Sequence, residues 1–185
     1  MKTDIWEKHP ATDYFDVRLL EMDSAIFDNY SKYPISRLCE LGLHLSSIRF
    51  LSDIGLPEWC APNMYFGEED SWLPELLVQN EKLAVLGSDR DDNQICIAIN
   101  SNEVFRLNNS KLDFVATTPA LLGTALEQFQ TCINAAVAVN DSAFTDNNIP
   151  SILLKPFVEW LTNNEAKALI KGSFWQSTLN WLKYT

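Results

Sequence analysis

The sequence predicts an α+β fold: a single domain with a mainly antiparallel sheet, drawn as a meander, flanked by helices and followed by a helical C-terminal part. Three stretches carry this reading. Residues 83–108, LAVLGSDRDDNQICIAINSNEVFRLN, hold three strand-like runs and two polar turns. In the middle run Ile95, Ile97 and Ile99 alternate with Cys96 and Ala98, the period-two signature of a strand with large side chains on one face and small ones on the other. Thr118-Pro119 then starts a helix, an N-cap with proline in the first turn. Behind it Leu122, Ala125, Leu126, Phe129, Ile133, Ala136 and Val137 form one apolar stripe at helical spacing. Residues 150–185 return to helical patterning.

Taken in order, residues 1–16 are polar with scattered aromatics and Pro10, which suggests an irregular arm over the body. VRLLEMDSAIFDNY (17–30) opens as a short strand and then starts a helix capped by Asp23 or Ser24, with Ile26, Phe27 and Tyr30 at helical spacing; the period before Asp23 is ambiguous. After Pro34, ISRLCELG places Ile35, Leu38, Cys39 and Leu41 on one side and stops at Gly42. Ser46 or Ser47 caps a second short helix ending at Gly55, and Leu56-Pro57 cannot continue it. Residues 58–77 read as a strand around Asn63 to Phe66 followed by an exposed acidic loop flanked by Trp59 and Trp72.

The turns of the meander fall at Ser88 to Asn93 and Asn100 to Asn102, where Asn and Asp tolerate positive φ. After the long helix, the polar run NDSAFTDNN separates it from SILLKPFVEWL, in which Pro156 either kinks the axis or marks a new first turn. EAKALIKGSFWQSTLNWLKY reads as a last helix carrying Leu169, Ile170, Trp175, Leu179 and Leu182.

At 185 residues the chain suits one domain that buries roughly two-thirds to 70% of its unfolded surface. Its net charge of −11 repels nucleic-acid phosphates and anionic membranes, so neither is an expected partner. The acid is concentrated: residues 53–92 hold ten carboxylates against Lys82 and Arg90. A basic protein partner fits this segment. Cys39, Cys60, Cys96 and Cys132 are widely spaced with no CxxC pair, as reduced, mostly buried thiols of a cytoplasmic protein would be. The first 16 residues lack the apolar core of a signal peptide, and no run approaches the ~18 apolar residues of a membrane span.

Catalytic patterns are sparse. His9 stands in the polar arm and His44 between two leucines, where a structural role fits it better than that of a general base; no GxSxG elbow, HExxH, zinc spacing or phosphate-binding glycine motif occurs. The expectation is a non-enzyme with no cofactor, no catalytic residues and no metal. Asp89, Asp91 and Asn93 begin like a calcium loop, but Gln94 stands where glycine is needed and Asn100 where a bidentate Glu belongs. A hairpin turn fits better. Glu68, Glu69 and Asp70 read as a solvated loop; their functional alternatives are acid–base work and recognition, with carboxylates interleaved with Trp59, Tyr65, Phe66 and Trp72 as aromatic anchors inside an acidic rim. The candidate partner-binding residues are therefore Trp59, Glu68, Glu69, Asp70, Trp72, Asp89, Asp91 and Asp92.

The order RFLSDIGLP (49–57), a strand, LAVLGSD (83–89), QICIAIN and EVFRLN (94–108), FVATTPALLGTALEQF (114–129) and GSFWQSTL (172–179) resembles the SUKH superfamily, most closely its fourth immunity-protein subgroup. The resemblance is carried by residues 45–137, reaches into the helices of 150–185 and leaves residues 1–44 unassigned. Asn102 stands where such sequences commonly have glycine, and still tolerates positive φ. The resemblance implies an antiparallel sheet flanked by helices and a cytoplasmic immunity protein that binds a cognate polymorphic toxin domain, a nuclease or nucleic-acid deaminase, and occludes its active site. It carries over no catalytic residue. The alternatives are a general adaptor or scaffold and a small carboxylate-dependent metal hydrolase.

Overall fold

The computed structural model describes residues 26–67 and 73–183. The arm of residues 1–16, the strand before Asp23 and the caps Asp23 and Ser24 lie outside the described residues. So do Glu68, Glu69, Asp70 and Trp72.

The first described strand, β1 (Tyr30–Ser31), pairs antiparallel with β2 (Leu56–Pro57). This corrects the helix read over Ile26 to Tyr30: residues 26–29 carry no helix, and Tyr30 faces Pro57 across a ladder. The local spacing fits a helix, but the bonds come from more than twenty positions away. Among the described residues seven further strands form one antiparallel sheet: β3 (Trp59–Cys60), β4 (Met64–Phe66), β5 (Glu75–Val78), β6 (Glu81–Asp89), β7 (Gln94–Ala98), β8 (Val104–Asn108) and β9 (Lys111–Ala116). Their order is β3-β4-β6-β7-β8-β9, with β5 beside the first half of β6.

The meander stands where the alternation places it. Asp92 and Asn102 take φ of 60° and 61° in its two turns. Asn102 does more than tolerate that backbone: it is buried, and its Oδ1 accepts the His44 N–H at 2.9 Å. The long β6 carries a bulge between Val85 and Gly87. A Cβ at Gly87 would sit 2.0 Å from the Tyr65 carbonyl oxygen, so glycine is what lets β4 lie against the bulge. Strands β5 and β9 are not anticipated by the sequence reading; β9 places Asp113 at a buried position, which breaks the apolar pattern.

Ile95 and Ile97 enter the main core with Leu122, Leu126 and Phe129, and Ile99 packs against it. Cys96 and Ala98 join Leu83 and Val85 in a smaller cluster on the opposite face, built from strand residues alone. The main cluster is continuous from Phe27 to Leu182.

Helix α1 (Ile35–Glu40) buries Leu38 but leaves Cys39 and Ile35 exposed, so the apolar side read from Ile35 to Leu41 is only half used. Helix α2 (Leu45–Arg49) starts at His44, not at Ser46 or Ser47, which lie inside it. It runs into a π-helical turn (Phe50–Ile54), where the Gly55 N–H reaches the Phe50 carbonyl at 2.8 Å. Gly55 ends it with φ 89° and ψ −167°. A Cβ there would meet the Ser31 carbonyl oxygen at 2.1 Å, so only glycine lets β1 close on this corner.

Helix α3 (Pro119–Val139) begins as read, with the Thr118 hydroxyl accepting the Leu121 N–H, and buries the whole stripe from Leu122 to Ala136. Helix α4 (Ser151–Asn164) runs unbroken through Pro156. Pro156 and Ile152 both lie on the exposed side, where water can take the carbonyl that proline leaves without a donor. The last helix is not continuous: a 3₁₀ turn (Ala166–Leu169) stops before Gly172 at φ 91°, and α5 (Phe174–Trp181) starts afresh from the Ser173 cap. Phe129, Phe157 and Trp175 meet where α3, α4 and α5 converge, with Trp175 centred 5.4 Å and 4.9 Å from the two phenylalanine rings.

Candidate recognition surface

Strand alternation puts Cys60 and Met64 inside and turns their neighbours Trp59 and Tyr65 outward. Those two aromatics are directly paired across β3 and β4, and are 59% and 37% exposed. The pairing continues strand by strand from Tyr65 to Ser88, Gln94, Leu107 and Leu112. Directly paired residues of an antiparallel sheet share a face, so these six side chains form one rung across the sheet, with no member buried. Trp59 is its outermost and most exposed residue.

At the end of this ribbon the 89–93 hairpin tip is fastened to the β3–β4 turn by the Arg90 N–H, which donates to the Asn63 carbonyl at 3.1 Å. Asp91 and Asp92 point into solvent. Asp89 does not: it is buried, and its Oδ1 accepts from the N–H of Asp91 and Asn93 and from the Asn93 amide. Its charge is directed into its own turn, which it holds together, while the residue also lines the cleft beside α5. The same donors surround the oxygens a calcium loop would need, which supports the plain hairpin reading.

Behind the tip, β8 and β9 place two opposite charges on the inner face. Arg106 pairs with Asp113 at 2.7 Å and stands 3.7 Å from Asp89, while Lys111 reaches the other Asp113 oxygen at 2.6 Å. Burial alone pushes the Asp113 carboxyl up. The bonds from Arg106 and Lys111 outweigh it and hold the group below the usual carboxylate range. Arg106 also lies over the Phe174 ring at 5.2 Å, and Arg90 over Trp181 at 5.8 Å. Between the tip and α5 these groups line an open cleft of about 190 Å³.

Of the predicted contact residues, the structure thus brings Trp59, Asp91 and Asp92 to one end of the sheet. The role of Arg106, Phe174 and Trp181 is missed by the sequence reading. One signal was available: Val104-Phe-Arg106 and Asp113-Phe-Val115 each put a charge in step with a core valine, as two strands sharing a buried ion pair do.

The cysteines show little chemistry. Burial pushes the Cys96 thiol up to about 12 and raises Cys60 and Cys132 as well, whereas Cys39 is exposed. A thiolate-selective reagent at pH 8 should therefore label one thiol of the native protein quickly and the other three only on unfolding; two fast equivalents would contradict the burial of Cys60, Cys96 or Cys132. Among the described residues no group of three or more His, Cys, Asp or Glu side chains is arranged to hold a metal ion, and no helix is long and apolar enough to cross a membrane. No protein-family model, no curated protein and no solved structure matches this chain.

Proposed function

We propose that this chain is a cytoplasmic immunity protein of the SUKH kind, which binds a cognate toxin domain acting on nucleic acid and occludes its active site without catalysis of its own. One observation carries the reading: Trp59, 59% exposed, is held on a paired strand beside Tyr65. A large ring fixed on the outside of a rigid sheet loses little freedom on binding and suits an interface anchor. The exposed Asp91 and Asp92 at the neighbouring hairpin tip and the net charge of −11 match the basic cleft of a protein that handles nucleic acid.

The test begins with the neighbouring reading frames: if one encodes a large secreted protein, its C-terminal domain is expressed with and without this chain. Growth should be rescued by the wild-type chain, and a domain equally toxic with and without it would overturn the reading. Trp59→Ala should weaken the complex by at least about thirtyfold, or 2 kcal/mol, with an unchanged denaturation midpoint. An unchanged affinity would move the interface away from β3.

A further inference from the structure

We propose that the cleft between the 89–93 hairpin tip and α5 is an oxyanion site, one that takes a carboxylate or phosphate group in an otherwise acidic protein.

The inference comes from counting what each charged group in the cleft has left to give. The Asp89 carboxylate is already engaged. Both Asp89 oxygens receive the Asn93 amide, and its Oδ1 receives two backbone N–H groups as well. Behind the cleft, Asp113 Oδ2 accepts from Arg106, and Oδ1 is held in an ion pair with Lys111 at 2.6 Å without an aligned hydrogen bond. The donors are not used up. Arg106 makes one hydrogen bond, to Asp113; its Nη1 stands 3.7 Å from Asp89, beyond hydrogen-bond reach, and its Nε is buried without a partner. Arg90 has only a 3.7 Å ion pair from its Nε to Asp91 and remains 56% exposed.

A guanidinium offers five N–H donors in a planar fork and accepts nothing. Two of them, each lying over an aromatic ring, give the cleft more side-chain donors than its lining carboxylates, Asp89 and Asp91, take up. The formal charges lining the cleft cancel, Asp89 and Asp91 against Arg90 and Arg106. Binding then rests on hydrogen bonds to the forks, and long-range attraction adds little. An open volume of about 190 Å³ suits a single small group of this kind.

The full chain, labelled with nitrogen-15, is titrated with sodium phosphate and separately with sodium acetate, against sodium chloride at matched ionic strength. The Trp181 indole N–H and the Arg90 Nε–H are followed. Saturable shifts with phosphate alone assign the site to phosphate-bearing ligands, and shifts with acetate assign it to carboxylates; either supports the proposal. Arg90→Gln, at an exposed side chain, should weaken binding at least about tenfold, and Arg106→Lys, which keeps the charge and loses the fork, should do the same. Shifts no larger than those of chloride overturn the proposal, as does saturable binding that survives both substitutions in folded protein.

Discussion

Trp175→Ala should lower the free energy of unfolding by about 3–5 kcal/mol, a large share of the roughly 5–15 kcal/mol typical of a domain. The indole is fully buried and packs against Phe129, Phe157 and Phe174 at centroid distances of 5.4, 4.9 and 5.0 Å. It is therefore the piece on which α3, α4 and α5 all close, and three rings cannot collapse into the space it leaves. Its indole N–H has no hydrogen-bond partner, and that unmet donor already costs about 1–3 kcal/mol. Trp175→Phe removes the donor together with part of the volume, so the two effects offset and the loss should stay below about 2 kcal/mol. Urea unfolding followed by far-ultraviolet circular dichroism separates the two variants. A Trp175→Ala midpoint equal to that of the wild type would show that the three helices do not depend on this ring.

Arg106→Met should cost about 3 kcal/mol, the lower part of the 3–5 kcal/mol range for breaking a buried pair, because Lys111 remains to partner Asp113. The double variant Arg106→Met/Asp113→Leu should recover most of the loss, since no charge is then left buried alone. The pH dependence has a defined sign. Asp113 in the folded chain has its pKa below the ordinary carboxylate value, so its contribution is fully present above the unfolded pKa near 4 and is lost as pH falls through the lower folded value. The wild-type chain should therefore lose stability steeply below about pH 4, and the double variant should show a shallower acid limb. Identical acid limbs would mean that the Asp113 pKa is not lowered in the native state.

The sheet was legible where the signal was local. Alternation at Ile95 to Ile99 and the Asn and Asp turns at 92 and 102 are short-range consequences of backbone geometry, and so is the Thr118-Pro119 start. What escaped depends on distant partners. Ile26, Phe27 and Tyr30 satisfy helical spacing, yet Tyr30 is committed to Pro57. β5 is four residues long with Leu77 pointing to solvent, and nothing in ELLV alternates by polarity. Gly172 and Ser173 mark the break before α5, but the apolar spacing continues across them. For the candidate recognition surface, Trp59 was legible as an aromatic in an acidic setting, and it stands exposed. The burial of Asp89 was not, because its place inside depends on Arg106 and on a turn that encloses its own carboxylate.

The brevity of β3 limits how this end of the sheet can be used. An open edge ordinarily invites another chain to add itself as the next strand through the free backbone. Here the edge is two residues long, and the backbone on either side is already spent: the Glu58 N–H on the Asn29 carbonyl, the Glu58 carbonyl on the Phe66 N–H, and the Ala61 N–H on the Gln130 side chain. Too little main chain is left for a visiting strand to read. A partner that docked at Trp59 would have to be told apart by the shape and charge of its side chains.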